Sequence, residues 1–263
     1  MPGKQWYNRG DRANLDLWRK SASMVSNAIK KIRRIPWWGW AFGLGYFGLQ
    51  YGMYRLGDLL SRVLGTISGA VCPKIPIIDD HIPIIPIFAV IYLFSYVFWI
   101  CGPIAVSLTK RRNFINYIIG LSMAYLIGFL FFVFVPTFMD RTAEGLMEQA
   151  SKPGFFNGML ATIYAADGSN IAFNLFPSYH CLISLYCYLG VRRQPEISRG
   201  FRAYSLIMAI LICLSTVFTK QHYFLDIVGG LGISVICYLI VDRIDPGRKY
   251  GDQSCGGDQP KST

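Results

Sequence analysis

Six apolar runs, most of them close to the length of a bilayer crossing, recur along this chain of 263 residues and leave room for little but a bundle of membrane helices. They fall at about 37–55, 85–108, 114–136, 177–191, 202–219 and 222–241, the fourth being the shortest. With 53% hydrophobic residues and a mean hydropathy of +0.36, the chain is too apolar for an ordinary soluble domain. The expected fold is all-α: a polytopic six-transmembrane-helix bundle over 36–242, forming one membrane domain. A basic segment, 1–35, precedes it, and a disordered cytoplasmic tail, 243–263, follows.

A net charge of +11 invites a nucleic-acid reading, and the positions of the 26 Lys and Arg decide against it. Most precede the first run, or lie in the loops after the second and fourth runs, or in the tail; the rest are Arg55, Arg62, Lys74, Arg141, Lys152 and Lys220. Cytoplasmic loops collect Lys and Arg, so the asymmetry puts both termini in the cytoplasm and these six outside. Topology then accounts for the charge, and no nucleic-acid partner is expected.

Within 14–34, Leu15, Trp18, Val25, Ile29 and Ile32 recur at helical spacing among Arg19, Lys20, Lys30, Lys31, Arg33 and Arg34. The pattern predicts a basic amphipathic interfacial helix on the inner leaflet, with anionic lipids as its partner. A calmodulin-type target helix and a polar leader are the alternatives. No cleavable leader is expected, because a long charged segment precedes the first apolar run. The seven cysteines include no C-x-x-C pair and read as small packing residues, neither a disulfide framework nor a zinc site.

Two outer loops stand out. Prolines at 73, 76, 83 and 86 forbid a continuous helix between the first two runs. Asp79, Asp80 and His81 sit there, but adjacent residues rarely converge on one metal, and no metal is expected. After Arg141, about 35 residues without an obvious pattern lead into Asn174-Leu-Phe-Pro177-Ser178-Tyr179-His180. Loops of that length are commonly functional or mobile.

Between the last two runs, Lys220, Gln221 and His222 form a polar turn at a membrane surface, with Asp226 four residues beyond the histidine. If the sixth run is helical from His222 onward, the two side chains share a face and can hydrogen-bond. A carboxylate on one imidazole nitrogen frees the other to attack or to take a proton. A polar helix cap is the plainer alternative, set against the cost of a carboxylate inside a membrane, about 2.5–3.5 kcal/mol at its centre. Pro177, for its part, suits the first turn of the fourth run, whose free N–H groups and dipole favour phosphate. By the six-run topology Arg141, Ser178, His180, Lys220 and His222 share the outer face. Two histidines, two cations and a helix N-terminus are the parts that phosphoryl transfer through a phosphohistidine requires.

With these residues the chain resembles the type-2 phosphatidic acid phosphatase superfamily of membrane lipid phosphatases and phosphotransferases. Pro177-Ser178-Tyr179-His180 matches its second signature, and Ser215, His222 and Asp226 match its third at full spacing. The resemblance implies His222 as nucleophile, Asp226 as its support, His180 as the acid, and chemistry without a metal or other cofactor. Thr216 stands where the third signature has arginine, and of the first signature only Arg141 remains, with Phe134 and Thr142 at the lysine and proline places. This wording looks closer to the branch containing inositol phosphorylceramide synthases.

The expectation is a lipid phosphatase acting on a phosphatidate-type or polyprenyl phosphate at the extracytoplasmic or lumenal face. Arg141, Lys220, Ser178 and Ser215 would hold the phosphate, while Gly229 and Gly230 serve close packing. The rivals are a transferase that passes the group to a second lipid's hydroxyl, and an inactive protein that binds or moves lipids. Oligomeric state is not legible in the sequence.

Overall fold

The computed structural model describes residues 35–168 and 170–251, together with six isolated positions between 14 and 26. The interfacial helix predicted at 14–34 falls almost wholly outside the described residues, as does the tail beyond 251. Nine α-helices run in the described residues: α1 Trp37–Val63, α2 Pro76–Asp79, α3 Phe88–Val106, α4 Arg111–Phe134, α5 Leu146–Ser151, α6 Phe155–Ala166, α7 Tyr179–Val191, α8 Arg199–Phe218 and α9 Phe224–Ile244. The strands β1 Phe138–Asp140 and β2 Ile171–Phe173 complete the elements used below.

Helices α1, α3, α4, α7, α8 and α9 run alternately up and down. α1 begins with Gly39 under Ser107, at the end of α3, and finishes beside the end of α4, where Thr66 donates to the Val133 carbonyl at 2.6 Å. Gly39, Gly43 and Gly57 lie on one side of α1, where a Cβ would collide with Ser107, Ile104 and Phe132, so these small residues let α3 and α4 approach. The buried helix α7 touches α3, α4, α8 and α9. Tyr179 stacks on Tyr125 with ring centroids 5.6 Å apart and donates to its carbonyl at 2.7 Å.

Four of these helices, α3, α4, α8 and α9, are long and apolar enough to cross a membrane. Their outward faces remain apolar: Ile207, Ile210, Val235, Ile236 and Leu239 are exposed, as lipid-facing surface would be. The first and fourth predicted runs do not reach that measure. In α1, the tryptophans at 37, 38 and 40, the tyrosines at 46, 51 and 54, several glycines and Gln50 dilute the apolar character, and α7 is only 13 residues long, about 20 Å against a hydrocarbon core of about 30 Å.

The long loop after Arg141 is ordered, contrary to its patternless sequence. β1 and β2 form an antiparallel ribbon, pairing Phe138 with Phe173, Met139 with Ala172 and Asp140 with Ile171. That ribbon is a small exception to the all-α expectation. Between the strands, α5 and α6 bury Leu146, Leu160, Ile163 and Tyr164 against Ala89 and Tyr92 of α3. A cap with its own core therefore sits over one end of the bundle. Ordered structure also continues past 242, since α9 runs to Ile244 and a 3-10 turn spans Pro246–Tyr250.

Candidate active site

The capped end holds a cavity of about 330 Å³, at the small end of the usual range for ligand sites. His180 and His222 both line it, with ring centroids 5.8 Å apart. They arrive from the N-terminus of α7 and from the turn between α8 and α9.

Local backbone chemistry fixes the His222 turn. After α8 ends, the N–H groups of Gln221 and His222 both donate to the Thr216 carbonyl, at 2.9 and 3.2 Å, and Lys220 takes a left-handed φ of 49°. The chain thus folds back on the last turn of α8. His222 lies outside the helix that follows, correcting the expectation that helix begins at the histidine. Tyr223 is the N-cap of α9, and Asp226 Oδ2 accepts from the Tyr223 N–H at 2.9 Å. The same oxygen lies 3.4 Å from His222 Nδ1, an ion-pair distance with no formed hydrogen bond. Asp226 is therefore both a helix cap and the carboxylate behind the imidazole.

His180 is held by aromatic rings. Its imidazole stacks on Tyr92 at 4.2 Å and meets the edge of Trp99 at 4.6 Å, while Trp99 Nε1 donates to Ser184 at 2.9 Å. Ser178, the N-cap of α7, accepts from the Cys181 N–H and donates its own N–H to the Asp226 carbonyl at 3.0 Å. Pro177 thus precedes the cap and does not form the first turn. A Cβ at Gly230 would strike the Ser178 carbonyl, and one at Gly229 the ring of Phe176, so the two glycines do bring α9 against the start of α7. That packing ties both histidine-bearing segments together.

Of the four expected phosphate holders, none lines the cavity. Arg141 is fully buried beside it, donating to the Tyr164 carbonyl at 3.0 Å, to Gln221 Oε1 at 3.1 Å and to Asp167 at 3.3 Å, with its guanidinium 4.6 Å from the Tyr164 ring centroid. Lys220 turns outward and donates to the Asp79 carbonyl at 2.7 Å. Burial pulls its pKa below the ordinary lysine value, against the opposing pull of Asp79 and Glu144. Ser215 is buried in α8 with its hydroxyl on the Ile212 carbonyl, and Ser178 is occupied as described.

Other residues take the places around the histidines. Asn174, Gln221 and Asp167 line the cavity, as do Gln50, Tyr54 and Arg55 of α1. Burial raises Asp167 above the usual carboxylate range, while Arg141 and His222 draw it back down. Asn174 Oδ1 and Nδ2, His180 Nε2, Gln221 Nε2, His222 Nδ1 and Asp226 Oδ1 are all buried without a hydrogen-bond partner. Buried polar atoms are ordinarily satisfied, so such a concentration at one cavity marks a place for a polar ligand. A signal for Asn174 existed in the sequence, three residues before Pro177; α1 carried none that spacing alone could separate from a membrane run. No group of three or more metal-ligating side chains occurs among the described residues.

An imidazole backed by a carboxylate, facing a second imidazole across a small cavity, is equipped for nucleophilic attack coupled to proton delivery. Neither the curated proteins nor the solved structures contain a match to the chain. A family model does match: it spans residues 71–240, which takes in the cap, both histidines and Asp226. The match covers well over half of the sequence, and the chain belongs to the PAP2 superfamily.

Proposed function

We propose that the protein is an integral-membrane lipid phosphatase, hydrolysing a phosphatidate-type or polyprenyl phosphate ester through a phosphohistidine on His222. Superfamily members are generally phosphatases, and four long apolar helices fit membrane residence. The observation that carries the reading is the pairing of His180 and His222 in one cavity, 5.8 Å ring to ring, with Asp226 behind only one of them.

His222 Nδ1 faces Asp226, so Nε2 attacks phosphorus. As the N–P bond forms, the bond from phosphorus to the lipid oxygen breaks, and His180 gives that oxygen a proton. Water, losing a proton to His180, then attacks phosphorus, breaks the N–P bond and releases inorganic phosphate. The arriving phosphate favours the protonated imidazole that the first step needs. Gln221 Nε2 and Asn174 Nδ2 serve as donors to the phosphoryl oxygens, Gln221 being held by Arg141. Ser178 and Ser215 act through the segments they pin, and Lys220 through its clasp on Asp79.

In this reading α1 and α7 complete six crossings, both termini are cytoplasmic, and the cavity opens on the extracytoplasmic or lumenal side. α7 suffices because its N-terminus is recessed to the level of Tyr125 on α4, so residues 174–178 and the cap finish that crossing. The departures in the signatures, Thr216 above all, favour a second reading: transfer to a lipid hydroxyl in place of water, as in the inositol phosphorylceramide synthase-like branch. The test follows radiolabelled lipid phosphates with purified wild type and His222→Ala in detergent without divalent ions, with and without ceramide or diacylglycerol. Free phosphate from wild type alone supports the hydrolase; label in a new lipid only when acceptor is present supports the transferase. Equal activity of the two proteins would remove His222 from the mechanism.

A further inference from the structure

The catalytic geometry leaves one requirement unmet. A phosphate ester carries negative charge, yet the two cations expected from the sequence to hold it are engaged elsewhere: Arg141 with Asp167, Gln221 and Tyr164, and Lys220 with the Asp79 carbonyl. Asp167 adds a carboxylate to the lining. Among the lining residues the remaining guanidinium or ammonium group is that of Arg55.

Arg55 belongs to a regular pattern on α1. Phe47, Gln50, Tyr51, Tyr54 and Arg55 all line the cavity, at successive spacings of three, one, three and one, which is a single helix face. Tyr54 fixes that face to the cap by donating to the Phe173 carbonyl at 3.3 Å. Two turns further on, Arg62 is paired with Asp58 at 3.0 Å, whereas Arg55 makes no ion pair with a described residue. It also borders an adjoining groove with Asp167, Asn170 and Phe173, so it stands where the cavity meets the surface. The family match begins at residue 71, so this whole face lies outside the matched region.

We propose that Arg55 is the cation that binds the substrate's phosphate, and that the Gln50–Tyr54–Arg55 face of α1 selects the group attached to it. The inference rests on the reading of the cavity as a phosphate-ester site. α7 and the α8–α9 turn then supply the reacting nitrogens, and α1 supplies charge recognition. A guanidinium suits this role because its planar fork meets two phosphate oxygens at once.

The test separates binding from turnover. Inorganic phosphate is titrated calorimetrically into detergent-purified wild type, Arg55→Gln, Arg55→Lys and His222→Ala, and release of phosphate from dioleoyl phosphatidate is measured in parallel. The expected result is about tenfold or more weaker phosphate binding for Arg55→Gln, with Arg55→Lys between that variant and wild type, because an ammonium restores the charge and not the two-oxygen fork. Turnover of Arg55→Gln should show kcat/KM lowered by about tenfold or more, with a raised KM. Phosphate binding by Arg55→Gln as tight as that of wild type overturns the proposal, whatever the turnover. Full turnover by His222→Ala bears on the catalytic reading alone, because the calorimetric arm still judges Arg55.

Discussion

At the end of the bundle where α4 begins and α9 stops, most polar side chains find partners, Arg192 Nε being an exception. Asp245 accepts from Arg112 Nε at 3.0 Å and from Asn116 at 2.9 Å, while Asn116 Oδ1 takes the Gly247 N–H at 2.7 Å and Asn113 binds the Gly190 carbonyl at 3.1 Å. At the capped end, Asn174, Gln221, both histidines and Asp226 each keep a buried atom without a partner. The chemistry of the side chains is similar; what differs is whether the fold completes it. A completed network ties helices together, whereas an incomplete one, in a cavity, stands ready for another molecule.

That contrast is most exposed at His222. His222→Ala should lower turnover of a lipid phosphate at least ~10⁴-fold while leaving the melting temperature at or above wild type, since it removes a buried group with an unpartnered atom. Substantial residual activity in initial-rate assays would place the capped end with the structural one. Asp226→Asn should reduce kcat about 10²- to 10⁴-fold with little loss of stability, because the amide oxygen can still accept from the Tyr223 N–H; a large stability loss with normal kcat would make it a cap only.

Arg141 sharpens the comparison, being a partnered residue at the unpartnered end. Arg141→Met should behave like a structural mutation and destabilise by about 3–5 kcal/mol, leaving Asp167 without its cation and Gln221 without its anchor. A normal melting curve with lost phosphate binding would instead make Arg141 a direct ligand. At the opposite end, Asp245→Ala should cost about 1 kcal/mol in thermal unfolding and leave kcat within about twofold, because Arg112 is half exposed and the pair is screened.

The smallest effect concerns acid. Arg112 and Asn116 hold the Asp245 carboxyl below its ordinary value. A depressed folded-state pKa means stability present above the unfolded value of 3.8 and lost as pH falls through the lower folded one. Unfolding profiles below about pH 4 should therefore lose a few tenths of a kcal/mol in wild type that Asp245→Asn does not lose, the site being open to solvent.

Much of this architecture was legible locally. Runs of apolar residues located all six long or central helices, and the spacing of His222 and Asp226, with Pro177-Ser178-Tyr179-His180, located both imidazoles. The cap escaped because its helices are short and its strands have three residues each, too few for a period to declare itself. Arg141 and Lys220 were correctly placed at the same end as the histidines, yet shared location did not put either cation in the cavity.

The sequence by itself determined where the helices lie, which end carries the two histidines, and that Asp226 stands behind one of them, since those relations span a few residues or follow from alternation along the chain. Only the tertiary structure decided which polar groups meet the cavity. Arg141 turns to Asp167 and Gln221, Lys220 to Asp79, and Arg55 arrives from a helix far earlier in the chain. Which partner a charge finds is settled by desolvation and contact between segments remote in sequence, and no local pattern encodes that choice.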